Sequence, residues 1–201
     1  ARRHGLLCLL HEKPFEGVNG SGKHNNWSIA TDKGENLFSP GKTPMENAQF
    51  LLFLTAVIKA VDENQDLLRC IVASAGNDHR LGANEAPPSI MSIYVGDELD
   101  AILNAIRLGT DYEDAKKKKM TIGVDVLPPI PKDSTDRNRT SPFAFTGNRF
   151  EFRSVGSNLS ISGPNTILNA ILADALKSFA DELEKSSNFD SDLHKLIKRE
   201  I

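Results

Sequence analysis

An α+β domain, with helices packed over a sheet, is the fold class this 201-residue sequence predicts. Three observations predict it. Phe50, Leu51, Leu54, Val57, Ile58 and Val61 recur at three- and four-residue steps, the period of a helix with one buried face. Phe143 to Phe152 alternates apolar and polar around Gly147-Asn148, the period of extended chain, and a hairpin is one way to arrange it. Gly163-Pro164-Asn165 opens a long apolar segment that reads as a helix over about 166–184.

The elements follow in order. Leu6 to Leu10 is an uninterrupted apolar run and reads as a buried strand. Trp27 to Thr31 reads as a short strand, and 31–42 as a polar turn region with Gly34, Pro40 and Gly41. Thr43, Pro44 and Glu46 stand where an N-cap, a first-turn proline and a capping-box acid would start the first long helix. That helix is expected to reach about Ala60, with a second helical stretch through Leu68. Ala73 to Pro88 is rich in Gly, Asn and Asp and reads as loop. Ile90 to Val95 is apolar on both alternating faces and reads as a strand buried on both sides. Glu98 to Leu108 reads as helix and Thr121 to Val126 as a strand, ended by Pro128, Pro129 and Pro131. A last amphipathic helix is expected at about 191–198. No internal repeat is visible, and pattern alone leaves the sheet order open.

Composition narrows the classes. The length suffices for one domain with its own core. Net charge is −3, so nothing electrostatic favours nucleic acid. No apolar run approaches the ~18 residues of a membrane span. Cys8 and Cys70, the only cysteines, have no metal or redox spacing and read as buried thiols in a reducing cytoplasm. Lys116 to Lys119 lie close to Asp111, Glu113 and Asp114 and read as a solvated helix end. Ala1 is not an initiator Met, and the abrupt apolar start reads as a strand entered from sequence upstream. The chain is therefore expected to be a piece of a longer protein.

The segment that carries chemistry is Gly17-Val18-Asn19-Gly20-Ser21-Gly22-Lys23-His24. Its spacing nearly fits a phosphate-binding P-loop, but that motif needs Ser or Thr after the Lys to hold Mg²⁺, and a helix beyond it. Here His24 follows the Lys, and Asn25-Asn26-Trp27-Ser28-Ile29 suits a strand. A glycine turn between extended segments, with an imidazole just past it, suits a metal site better. A second pattern is Arg149-Phe150-Glu151-Phe152-Arg153. On a strand its two aromatics face the core and its three charged groups face a cleft.

Five motifs, in order, resemble those of glutamine synthetases. Asn19-Gly20-Ser21-Gly22-Lys23-His24 is similar to N-G-S-G-x-H, and Asn36-Leu37-Phe38-Ser39 to N-L-F-S. Arg80 to Pro87 resembles R-L-x-x-x-x-E-A-P, one residue shorter, Asn138-Arg139-Thr140 resembles N-R-S, and Arg149 to Arg153 resembles R-x-E-x-R. Together they span most of the chain, and the wording around Arg80 and Ser141 most resembles the type III bacterial class. The resemblance implies a catalytic-domain fold in which a curved antiparallel sheet is backed by helices, here incomplete. It makes 1–201 a fragment of that domain, with about 97–136 an insertion and 163–201 a helical C-terminal part. It implies ligation of ammonia to L-glutamate at the expense of ATP, through a γ-glutamyl phosphate, in a cytoplasmic enzyme of homo-oligomeric rings.

The same resemblance assigns roles. His24 and Glu151 are implied as ligands of a shared Mg²⁺ or Mn²⁺. Glu85 is implied as the acid of a flap that closes over glutamate and takes a proton from ammonium, and Arg139 as the group that stabilises the phosphoryl in flight. Asn19, Gly20, Arg80 and Arg153 are implied on the glutamate side, Arg80 at its α-carboxylate. Arg153 is also implied, with Arg139, at phosphate oxygens. Ser28, Arg139 and Arg149 are implied on the ATP side. The sequence departs from the pattern at Asn26, where the family has a second His, and at Ala144, where it has an Arg that Arg137 or the inserted block would replace. No counterpart of the family's regulatory tyrosine is recognisable. Further metal-binding glutamates and an N-terminal domain are expected upstream, so this stretch alone is expected to turn over little. The alternatives are a γ-glutamyl ligase acting on another amine and a homologue that keeps the fold for assembly without catalysis.

Overall fold

The computed structural model describes residues 1–9, 11–110, 112, 136 and 140–201, and the backbone of 119–120 and 130–131. Its main sheet holds four strands in the order β1 (Gly22–Trp27), β6 (Phe150–Gly156), β5 (Phe143–Phe145), β2 (Ile93–Tyr94). β1 pairs with β6 and β6 with β5 in antiparallel fashion, whereas β2 joins β5 in parallel. The sheet is therefore mixed at its β2 edge and antiparallel elsewhere. β3 (Lys119–Met120) and β4 (Ile130–Pro131) form a separate antiparallel pair. The predicted strand at Thr121 to Val126 lies outside the described residues.

One face of the sheet is an aromatic layer. Phe143 and Phe150 stack with centroids 4.7 Å apart, and Trp27, Phe38, Phe145 and Phe152 close around them. All are buried, and they merge into one core with the inner faces of the helices. Those helices are α1 (Ala48–Glu63), α2 (Gln65–Cys70), α4 (Asp97–Leu108), α5 (Ser162–Leu183) and α6 (Phe189–Glu200). The hairpin at Gly147-Asn148 forms because Gly147, at φ 92°, takes a conformation closed to most residues.

Several elements differ from their sequence reading. Leu6, Leu7 and Leu9 are exposed and belong to no strand, since among the described residues no strand of the sheet lies beside them, and Leu10 lies outside those residues. The strand expected from Trp27 begins earlier and ends there; Ile29 to Thr31 leave the sheet, apart from a bridge of Ala30 to Asn36. Thr43 precedes only a short 3₁₀ turn, Pro44–Glu46, and its side chain caps nothing. α1 is capped instead by Asn47, whose side chain accepts from Phe50 N at 3.0 Å. The supposed loop after Ala73 contains α3 (Ala75–Arg80), started by Ser74, whose hydroxyl accepts from Asn77 N. β2 is shorter than its apolar pattern and not buried on both sides: Met91 is buried and Ile90 exposed. Cys8 and Cys70 are exposed rather than buried.

Candidate active site

β1 and β6 place the site. Along β1, Asn25 and Trp27 turn inward, where Asn25 Nδ2 donates to Asn165 Oδ1 at 2.7 Å and Trp27 Nε1 to Asn169 Oδ1 at 2.9 Å. Lys23 Nζ donates to the Leu159 carbonyl. These anchors tie alternate residues of β1 to α5 and the turn before it, so His24 and Asn26 project from the other face. The helix that a P-loop requires after Lys23 is replaced by this strand. Between Lys23 and Asn25 the pairing slips: Lys23 faces Val155 but Asn25 faces Phe152. The extra residue on β6 is a bulge opposite His24, a device that re-aims side chains at sheet positions beside sites. The alternation read from the sequence holds up to Arg153 and changes there, since Val155 enters the core.

His24 Nδ1 and Glu151 Oε1 lie 2.6 Å apart; the imidazole is 52% exposed and the carboxylate 12%. Glu151 Oε2 accepts from Arg153 Nε at 2.7 Å. Arg153, 7% exposed, in turn donates Nη1 to both the Asp136 carboxylate and the Asp136 carbonyl at 3.0 Å. Asp136 also accepts from Thr140 N, Thr140 Oγ1 and Ser141 N. The line His24–Glu151–Arg153–Asp136 thus alternates in sign and becomes more buried inward. Burial pushes the Glu151 carboxyl up, but the hydrogen bond and charge of Arg153, helped by His24, outweigh it and hold the group below its ordinary value. Asp136 is likewise raised by burial and lowered further by Thr140, Ser141 and Arg153, with a net downward shift. Both carboxylates are therefore held as anions.

A cavity of about 210 Å³ opens beside this line, walled by Asn19–Gly22 and His24 on one side, Arg80 and Glu85–Pro87 on another, and Arg153. Arg80 is 4% exposed. Its Nε donates to Asn77 Oδ1 at 2.8 Å and its Nη2 to the Arg153 carbonyl at 3.2 Å. Gly22 lets this guanidinium approach β1, because a Cβ there would fall 2.5 Å from Arg80 Nη1. Glu85 has φ 59°, the one non-glycine residue with positive φ among those described. A strain of roughly 1–3 kcal/mol is typical of such a residue and persists where the surroundings demand it. Here Asn19 Nδ2 donates to Glu85 Oε2 at 2.9 Å, joining the glycine turn to the Arg80–Pro87 loop.

Residues 1–92 match the family "Glutamine synthetase, catalytic domain". The chain is 58% identical over 199 residues to the type-3 glutamine synthetase of Dictyostelium discoideum, covering 98% of this chain and 27% of that protein. It is 53% identical over 188 residues to a glutamine synthetase of Bacteroides fragilis, covering 92% and 26%. A third relative, from Butyrivibrio fibrisolvens, is 54% identical over 203 residues, covering 93% and 29%. This chain belongs to the glutamine synthetase family. It spans between a quarter and a third of the length of these relatives.

Within the chain, seven of the predicted site residues stand together: His24, Glu151, Arg153, Asn19, Gly20, Arg80 and Glu85. Ser28 and Arg149 do not line the cavity. Ser28 is exposed just past the end of β1, and Arg149 Nε donates to Asn26 Oδ1 at 3.0 Å. Asn26, where the family pattern has a second His, thus serves as an acceptor for Arg149. Arg139 and Arg137 lie outside the described residues. Ala144 sits directly opposite Glu151 on β5 and is fully buried.

The His24–Glu151 donor set suits a hard divalent cation. Mg²⁺ is commonly held by one or two carboxylates together with substrate phosphates, and imidazole is a common ligand of divalent metals. No group of three His, Cys, Asp or Glu converges among the described residues, so these two would hold the ion jointly with other donors.

Three structural partners were not legible beforehand. Asn77 is fully buried and holds Arg80, while its Nδ2 donates to the Val72 and Ser154 carbonyls. Its one signal is the i,i+3 spacing to Arg80, hidden by reading 73–88 as loop. Asp136 and Glu12 are buried acids in segments with no periodic pattern.

Proposed function

We propose that the protein to which this chain belongs ligates ammonia to L-glutamate, with ATP converting the glutamate side-chain carboxylate to a γ-glutamyl phosphate. The observation that carries the reading is the convergence of His24 and Glu151 beside a cavity that also presents Arg80 and Glu85. The chemistry requires an anion site for glutamate, a divalent cation to bridge phosphate oxygens, and a carboxylate near the incoming ammonium. In this reading His24 and Glu151 would hold Mg²⁺ or Mn²⁺, which on binding would screen the charge of the transferring phosphoryl group. Arg80 receives the glutamate α-carboxylate with a guanidinium already oriented by Asn77. Asn19 and Gly20 line the same pocket. Arg153 supplies positive charge from behind Glu151, on the side of glutamate and phosphate. Glu85 accepts the ammonium proton from its loop, Arg139 acts on the phosphoryl group, and Ser28 and Arg149 lie toward ATP. The reading carries with it a cytoplasmic enzyme assembled in rings.

The experiment is release of inorganic phosphate by the full-length protein with ATP and glutamate, with and without ammonium. Release that needs all three, with glutamine formed in equal amount, is the expected result. Release driven by another amine but not by ammonium would favour a different γ-glutamyl ligase, and no release would favour an assembly role.

A further inference from the structure

Glu12 is a buried carboxylate, 3% exposed, that stands one layer behind the cavity and has no part in the reading above. Among the described residues, the hydrogen bonds to its side chain come from Asn158, in the turn after β6: Asn158 N to Oε1 at 3.1 Å and Asn158 Nδ2 to Oε2 at 3.2 Å. The side chain lies on two glycines. A Cβ at Gly156 would fall 2.5 Å from Glu12 Cγ, and one at Gly76 would fall 2.9 Å from Oε2. Its backbone reaches the glycine turn. Ser21 N donates to the Glu12 carbonyl at 2.5 Å, and a Cβ at Gly20 would collide with that carbonyl. The same Cβ would fall 2.9 Å from Arg80 Cγ, so the Glu12 carbonyl and the stem of Arg80 both close on Gly20 where a side chain would stand. Glu12 and Arg80 therefore meet over Gly20, with Asn158 clamping the far end of the Glu12 side chain.

We infer that Glu12 is a positioning residue that, clamped by Asn158 to the end of β6, holds the 17–22 turn against Arg80 and so sets the shape of the glutamate pocket. Burying a carboxylate costs several kcal/mol unless its hydrogen bonds are met, and here they are met by a single neighbour with matched donors. The arrangement defines a donor–acceptor polarity that substitution can reverse. Glu12→Gln alone is accommodated by rotation of the Asn158 amide, which turns Oδ1 toward the new amide. Asn158→Asp sets two carboxylates together. The double change restores one donor to one acceptor with little change of shape.

The inference rests on the proposed ligase activity for its kinetic arm only. In the full-length protein, Asn158→Asp is expected to raise KM for glutamate about tenfold, the effect of one lost buried hydrogen bond, and to leave KM for ATP within about twofold. Glu12→Gln with Asn158→Asp is expected to recover most of that loss. Hydrogen exchange supplies an arm that needs no activity: amides of 17–22 exchange faster in Asn158→Asp and slow again in the double variant. Equal rises in both KM values, no rescue by the double variant, or unchanged exchange at 17–22 would overturn the role of Glu12. Absence of glutamate-dependent turnover in the wild-type protein would overturn the ligase reading instead, and the exchange measurement would then decide Glu12 alone.

Discussion

His24 Nδ1 and Glu151 Oε1 meet at 2.6 Å although 127 residues separate them in the chain, and the bulge that aligns β1 with β6 is what brings them together. Each is fixed from behind. Asn25 and Trp27 anchor β1 to α5, and Arg153 grips the second oxygen of Glu151.

Removing either donor is expected to weaken Mn²⁺ binding to the full-length protein. With two donors present among the described residues, Glu151→Ala or His24→Ala should each cost at least about tenfold in affinity, or about 1.4 kcal/mol. Titration of Mn²⁺ followed by electron paramagnetic resonance measures it. Wild-type affinity in both variants would remove the pair from the metal site.

Crowding Arg80 is expected to act on both stability and glutamate binding. Gly22→Ala puts a methyl 2.5 Å from Arg80 Nη1 and 2.9 Å from the Val155 carbonyl. Overpacking of this kind costs typically 1–3 kcal/mol. A lowered urea midpoint together with a raised KM for glutamate is the expected outcome, and a variant with wild-type values in both would contradict the close approach.

Asn47→Ala is expected to lower stability by about 1 kcal/mol through loss of the α1 cap, while Thr43→Ala should be nearly neutral. Paired denaturant titrations test this, and the reverse ranking would return the cap to Thr43.

Glu200 links α6 to α1. It accepts from Lys59 at 2.9 Å and from Arg199 at 2.8 Å, while Arg199 also grips Glu182 on α5. Burial raises the Glu200 carboxyl, but Lys59 and Arg199 lower it more, so its value in the folded state lies below that in the unfolded chain. A depressed acid contributes stability that is complete above the unfolded value, about 4.3 for Glu, and is lost as pH falls through the folded value. Glu200→Gln is therefore expected to lower stability at pH 7 by on the order of 1 kcal/mol, seen as a lower thermal midpoint. The difference from wild type should narrow as pH falls below about 4.3 and close once pH is below the folded value. A gap that persists or widens in acid would contradict the sign.

Much of the site was legible because its residues are local. Arg149 to Arg153 is an alternating strand in which Phe150 and Phe152 must be buried, and burying them turns Glu151 and Arg153 the other way. The glycine turn was legible because Gly20 and Gly22 leave room that no other residue would leave. Helices α1, α4, α5 and α6 were legible from apolar periods longer than the errors at their ends. What misled was identity without context. The run at Leu6 to Leu9 has the composition of a strand but no strand partner among the described residues, and Thr43 has the chemistry of a cap but precedes a 3₁₀ turn.

By itself the sequence determined the helix and strand periods, the family, and the types of side chain available for a metal and an anion. Only the tertiary structure decided that β2 joins the sheet in parallel, that Asn77 aims Arg80, and that Asp136 and Glu12 are buried. The reason is that periodicity records the face on which a residue sits relative to its near neighbours. The partner of a buried polar group is chosen across the fold, where no spacing along the chain reports it.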